Sequence, residues 1–198
     1  LLAACPLYLA DRHHRYETAL AYQQERMREL PHATGEEAFN YVMMTLVEFS
    51  DPGLVIFPIH RLVRGISSSA LAGLKKQLEK LFTLESIPLA KALSCYTGGN
   101  GDPHPFTGIQ DMVLGILGLE SHSLVVLKQR QDMPVETIVP GNHSQAYKRF
   151  SISLLDHVIL DRMLEVEAGE ESIAYVVDVD ETYRQVSEGK YQLAFLSN

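Results

Sequence analysis

The apolar residues of this chain come in short runs. None approaches the roughly 18 consecutive apolar residues that a membrane-spanning helix needs. The longest, such as Leu54 to Ile59, have the length of a strand. Between them lie stretches whose apolar residues recur at every third and fourth position, the helical period. Strands and helices of this kind alternate irregularly and without an internal repeat. The pattern fits an α+β fold, a mixed sheet with helices packed on it, rather than a doubly wound sheet.

Pro6 to Ala10 has the pattern of a short buried strand. Tyr16 to Leu30 is predicted helical, with Ala19, Leu20, Gln23 and Met27 on one side and Glu25, Arg26, Arg28 and Glu29 on the other, ended by Pro31. Thr34-Gly-Glu-Glu37 is a capping box that opens a short helix. Tyr41 to Phe49 reads as helix or strand, and its β-propensity with the Asp51-Pro52-Gly53 turn favours a strand in a hairpin whose second arm is Leu54 to Ile59, with Pro58 at an edge or bulge. Ser67-Ser68-Ser69 offers caps for a helix from Ala70 to Phe82 with the stripe Leu71, Leu74, Leu78 and Leu81. A second helix over Pro88 to Tyr96 stops at the breaker Gly98 to Asp102. Met112 to Leu119 and Ser123 to Leu127 read as strands about a Glu120-Ser121-His122 turn. Gln129 to Ser144 is the loosest stretch. It is followed by an apolar helix over Leu154 to Leu164, a strand over Ile173 to Val179, a helix over Glu181 to Ser187 capped by Asp180, and a strand over Tyr191 to Leu196. The expectation is one globular unit over 1–198. If it divides, the Gly98 to Asp102 breaker sets lobes of 1–97 and 98–198.

Composition narrows the function classes. With 46% hydrophobic and 21% charged residues the chain is ordinary globular material, not a disordered segment. Lys plus Arg number 17 against 25 Asp plus Glu, a net charge of -8. A nucleic-acid partner that needs a broad basic face is therefore disfavoured, whereas a local basic patch can still take a small anionic ligand. Cys5 and Cys95 lie among apolar neighbours with no metal or redox spacing, which predicts buried reduced thiols and a cytoplasmic protein without a membrane segment.

The densest polar cluster is Asp11-Arg12-His13-His14-Arg15, where the first strand ends and the first helix begins. Helix N-termini present free N–H groups and partial positive charge. Arg12 and Arg15 add guanidinium forks suited to phosphate, and the histidines are donors that strengthen as pH falls. Asp11 would cap the helix, ligate magnesium or orient a histidine. The alternative is a solvated helix start with incidental histidines. A second pair, His60-Arg61, falls at the end of the Leu54 to Ile59 strand. Two such pairs at strand ends are expected to converge on one anion. Gly98 to Asp102 lacks the Lys-Ser/Thr ending of a P-loop. His104 reads as a loop histidine, His157 beside Asp156 as a core or edge histidine, and Asp178 and Asp180 as caps rather than metal ligands. No Ser-His-Asp elbow, H-E-x-x-H or G-x-G-x-x-G occurs.

The run Pro6-Leu-Tyr-Leu-Ala-Asp-Arg-His-His-Arg-Tyr-Glu-Thr-Ala-Leu20 resembles the signature of domain-of-unknown-function family 1015, approximately I-A-D-G-H-H-R-Y-E-T-A-L. Asn40 to Val47, Asp51 to Val63 and Glu188 to Phe195 agree as well. Arg12 stands where the pattern has glycine. If the turn needs a positive φ, Arg12 hinders it. The family pattern begins upstream of this signature, so the chain reads as the carboxyl-terminal portion of a longer protein. The turn is also similar to the strand-turn-helix of the ParB and sulfiredoxin superfamily, whose free-serine kinases hold nucleotide phosphate there. That resemblance implies a phosphate site at Asp11, His13, His14 and Arg15, ATP or ADP with magnesium as cofactor, and a catalytic carboxylate upstream. The expected functions are a small-molecule kinase, a non-catalytic nucleotide- or phosphometabolite-binding regulator, or, against the charge, a ParB-like nucleic-acid partner.

Overall fold

The computed structural model describes residues 7–30, 32–55, 57–96, 112–130, 132–133, 137–166, 169 and 171–197, with the side chains of 94–96 and 112 excepted. The chain divides into two compact units, Leu1–Leu54 and Val55–Asn198. Cys5, Pro6, the side chain of Cys95, the Gly98 to Asp102 breaker and His104 lie outside the described residues.

In the first unit, helix α1 runs His13–Glu29 and places Arg26 and Arg28 in its last turn, where cations meet the negative end of the helix dipole. Gln23 Nε2 donates to Asn40 Oδ1 at 2.9 Å and ties α1 to a single 3₁₀ turn, Ala38–Asn40. Half of the expected capping box forms. The Glu37 carboxylate accepts from the Thr34 N–H at 2.6 Å, and also from the Thr34 hydroxyl and the Gly35 N–H. These donors, the Thr34 N–H foremost, hold its carboxyl below the usual range.

Three strand expectations fail. Leu7 to Ala10 and Tyr41 to Phe49 carry no ladder, and Leu54 to Ile59 is not a hairpin arm among its described residues. The Asp51 turn itself forms, with Asp51 Oδ1 accepting from the Gly53 N–H at 2.8 Å and the Leu54 N–H donating to the Asp51 carbonyl. β-propensity needs a paired, covered face before it becomes a strand. Met43 is 99% exposed, and none of the described residues of this unit is buried.

The second unit is a six-stranded sheet in the order β2-β4-β3-β6-β1-β5, with helices on both faces. Its strands are β1 (His60–Val63), β2 (Phe82–Pro88), β3 (Met112–Leu117), β4 (Ser123–Gln129), β5 (Ile173–Val176) and β6 (Leu193–Leu196). The α+β class is as expected. Where a mixed sheet was expected, each described pairing is antiparallel.

Strand β4 shows why the sequence reads as it does. Leu124 to Leu127 are all fully buried, because both faces of the sheet are covered. Val125 and Leu127 join Val63, Leu114, Ile116 and Phe195 under helix α2 (Ser68–Leu81) and the Leu155–Met163 segment. Leu124 and Val126 join Leu62, Leu117 and Ala194 under α3 (Leu89–Tyr96) and α6 (Val179–Ser187). Ser67 caps α2 by accepting from the Ala70 N–H, and Leu74 and Leu78 of the predicted stripe are buried. Gly118 follows β3 at φ +88, where an added Cβ would lie 2.3 Å from the Gln192 carbonyl oxygen.

Three more expectations need correction. The cap of α6 is Asp178, whose Oδ1 accepts from the Glu181 N–H at 2.7 Å, while Asp180 sits in the first turn. β2 was not foreseen. It follows α2 without a breaker at the sheet edge, where it is only half covered. The predicted helix over Leu154 to Leu164 forms, but as nine residues of π-helix, Leu155–Met163, preceded by two short α-segments, α4 (Gln145–Arg149) and α5 (Ser151–Leu154). No described helix is long and apolar enough to cross a membrane.

Candidate functional site

Helix α1 starts one residue after Arg12, as the strand-turn-helix reading requires of its helix, although none of the described residues before it is in a strand. Arg12 is the N-cap residue and adopts φ 62, ψ 34, the left-handed region that favours glycine. The glycine of the family pattern thus has a conformational reason, and Arg12 holds the same turn at some cost. The carbonyl of Arg12 accepts from the Arg15 and Tyr16 N–H groups at 2.9 and 3.2 Å.

The side chain of Asp11 does not cap the helix. Its Oδ1 accepts from the Arg12 N–H at 2.7 Å, and Oδ2 lies 3.5 Å from Arg12 Nε. The helix has no side-chain cap and no acidic residue in its first turn. His13 and His14 stand with ring centroids 4.1 Å apart, and His14 Nδ1 lies 3.6 Å from Glu17 Oε2. Asp11, Arg12, His13, His14 and Arg15 are all exposed. The structure therefore gathers Asp11, His13, His14 and Arg15 at one helix start whose polar ends face solvent.

His60 and Arg61 belong to the second unit and begin β1 instead of ending a strand. Successive strand residues point to opposite faces, so the two side chains part company. His60 lies on the face of Leu62 and is fully buried, with neither ring nitrogen hydrogen-bonded. Burial pushes its imidazole down to about 4, against the pull of the Asp178 carboxylate. Arg61 lies on the other face, opposite Tyr175 and Phe195 in the strand registers. Its side chain is 12% exposed, and its Nη2 donates to Asp156 Oδ2 at 3.4 Å. Its Nε has no partner, and its guanidinium carbon sits 5.5 Å from the centre of the Tyr175 ring.

In the sequence Asp156 is only the neighbour of a core or edge histidine. Its contact with Arg61 spans 95 positions, and the visible signal was a lone carboxylate within an apolar helical run. Burial pushes the Asp156 carboxyl above its usual range, opposed by Arg61 and His157. His157 Nε2 is 2.9 Å from the Tyr147 hydroxyl, and the His143 ring packs 4.4 Å from that of Tyr147. Neither Tyr147 nor His143 was singled out in the sequence. Among the described residues no group of three or more His, Cys, Asp or Glu is placed to hold a metal ion, Asp178 and Asp180 included.

A family model described as a protein of unknown function, DUF1015, matches residues 1–156. No curated protein and no solved structure matches the chain.

Proposed function

We propose that this chain, which belongs to the DUF1015 family, binds the phosphate of a nucleotide or small phosphometabolite at the start of α1. The observation that carries this reading is a helix N-terminus that has neither a side-chain cap nor an acidic residue in its first turn, with His13, His14 and Arg15 exposed upon it. Such an end presents N–H groups and partial positive charge to solvent, and cations placed there work against the helix dipole unless an anion is bound. An oxyanion would receive hydrogen bonds from the His13 and His14 N–H groups, those of Arg15 and Tyr16 being given to the Arg12 carbonyl, and charge from Arg15. The likeness of the turn to the phosphate-holding turn of free-serine kinases supports the same assignment.

ATP or ADP fits the donor set through its phosphates. Magnesium bound to those phosphates would take Asp11 only if that carboxylate left Arg12, since Mg²⁺ commonly keeps one or two carboxylates beside the phosphates and water. Two roles follow from this site, one catalytic and one not. A small-molecule kinase needs a base for its acceptor hydroxyl. The acidic side chains at the turn are instead engaged by cations or imidazole, Asp11 by Arg12 and Glu17 by His14. That observation favours a non-catalytic binding role for these residues, with any base supplied from elsewhere. Incubation with labelled ATP and a panel of hydroxyl-bearing amino acids and metabolites separates the two: saturable binding without label transfer supports the regulator, and transfer supports the kinase. Absence of both binding and transfer would remove the nucleotide reading.

A further inference from the structure

Arg61 is poorly satisfied for a nearly buried guanidinium. Charge-assisted hydrogen bonds to carboxylates normally run about 2.7–2.9 Å, and its one carboxylate contact is 3.4 Å long. Its Nε is buried and unpaired. A buried cation held this loosely costs stability, because desolvation is not repaid by good geometry. The guanidinium carbon sits over the Tyr175 ring at 5.5 Å from its centre, a cation–π contact that uses none of the N–H donors of the fork.

Asp156 is the outer member of the pair, 45% exposed against 12% for Arg61. It sits at the second position of the Leu155–Met163 π-helix. π-helical turns are rare and concentrate at functional sites. The half-exposed carboxylate can turn into water, and doing so frees Nη2, the nitrogen that it contacts.

We infer that Arg61 is the receiving group of a small-oxyanion site in the second unit, where Asp156 occupies the place of a ligand carboxylate or phosphate until one arrives. The incoming oxyanion places two oxygens on Nε and Nη2 in the bidentate arrangement that Asp156 does not reach. Asp156 is then a competitor for the site, not its partner. This site is independent of the turn at α1, so either can fail without the other.

The test is an NMR titration of the protein with acetate and, separately, with inorganic phosphate, following the resonances of β1 and of Leu155 to Val158. Both probes are expected to shift them saturably, and the tighter of the two identifies the oxyanion class. Asp156→Asn is expected to tighten binding about fivefold, the scale on which a weak ion pair competes. Arg61→Lys, which keeps the charge and loses the fork, is expected to weaken it about tenfold. Thermal unfolding of each variant shows that it folds, and an Arg15→Ala background removes any contribution from the α1 turn. The proposal is overturned if neither probe moves these resonances. It is equally overturned if Asp156→Asn leaves affinity unchanged or weaker while lowering the melting temperature, which is the behaviour of a structural ion pair.

Discussion

Replacing His60 by leucine should remove a specific part of the pH dependence of stability. His60 is fully buried, neither nitrogen has a partner, and burial pushes the imidazole from 6.5 down to about 4. Between those values the unfolded chain holds a proton on this residue and the folded chain does not. Stability therefore rises with pH across the window, and it is lost as pH falls from about 6.5 to about 4. At roughly 1.4 kcal/mol per pH unit of difference, the loss assigned to His60 is about 3 kcal/mol. Carboxylates such as Glu37, Glu85 and Glu120, whose folded-state values are lowered, also lose stability as acid is added, so only the difference between two proteins is informative. Urea unfolding of wild type and His60→Leu at pH 7.5 and pH 4.5 isolates it. Near neutrality the leucine protein should match or exceed wild type, since two orphaned polar atoms are gone. At pH 4.5 its advantage should have grown by most of that 3 kcal/mol. An advantage equal at both pH values would refute the reasoning, because His60 would then titrate as a solvated imidazole. A large loss at pH 7.5 would show that the ring nitrogens are bonded after all.

Arg12→Gly should be more stable than Arg12→Ala by about 1 kcal/mol, the reverse of the order at an ordinary helical or extended position, because a Cβ is strained at φ 62; chemical denaturation of both variants checks it. Asp178→Ala should cost about 1 kcal/mol through loss of the α6 cap, whereas Asp180→Ala should cost less than about half of that. Gly118→Ala should destabilise by more than about 2 kcal/mol in a thermal melt, since its Cβ meets a backbone carbonyl at a left-handed φ that no side-chain movement relieves.

The elements that were legible are those whose signals are local and whose faces are covered. Ser67 and the leucines of α2 announce a capped amphipathic helix, and Leu124 to Leu127 announce a strand buried on both sides. The misreadings share a cause. Tyr41 to Phe49 has the composition of a strand without a ladder to join, and β2 has the ladder without the composition, since Glu85 and Ser86 sit mid-strand at the sheet edge, where Lys128 and Glu120 answer them. Periodicity cannot announce a π-helix, because Leu155, Val158, Ile159 and Met163 satisfy the usual helical spacing equally well. In the candidate sites, the helix start after Arg12 was legible from the apolar period that follows it. The parting of His60 from Arg61 was implicit in strand alternation, whereas the Arg61–Asp156 contact joins residues too distant in sequence to be inferred.

The central claim is that the uncapped start of α1 receives an oxyanion. Its most direct test is a sulfate titration of wild type and Arg15→Ala, read on the backbone amides of His13 to Tyr16. Sulfate keeps its charge over the range in which phosphate changes, so any pH dependence belongs to the protein. Saturable shifts confined to these amides are expected, with weaker binding in Arg15→Ala because the guanidinium is gone. Equal affinity in the two proteins, or shifts that never saturate, would contradict it and leave the turn as a solvated helix start.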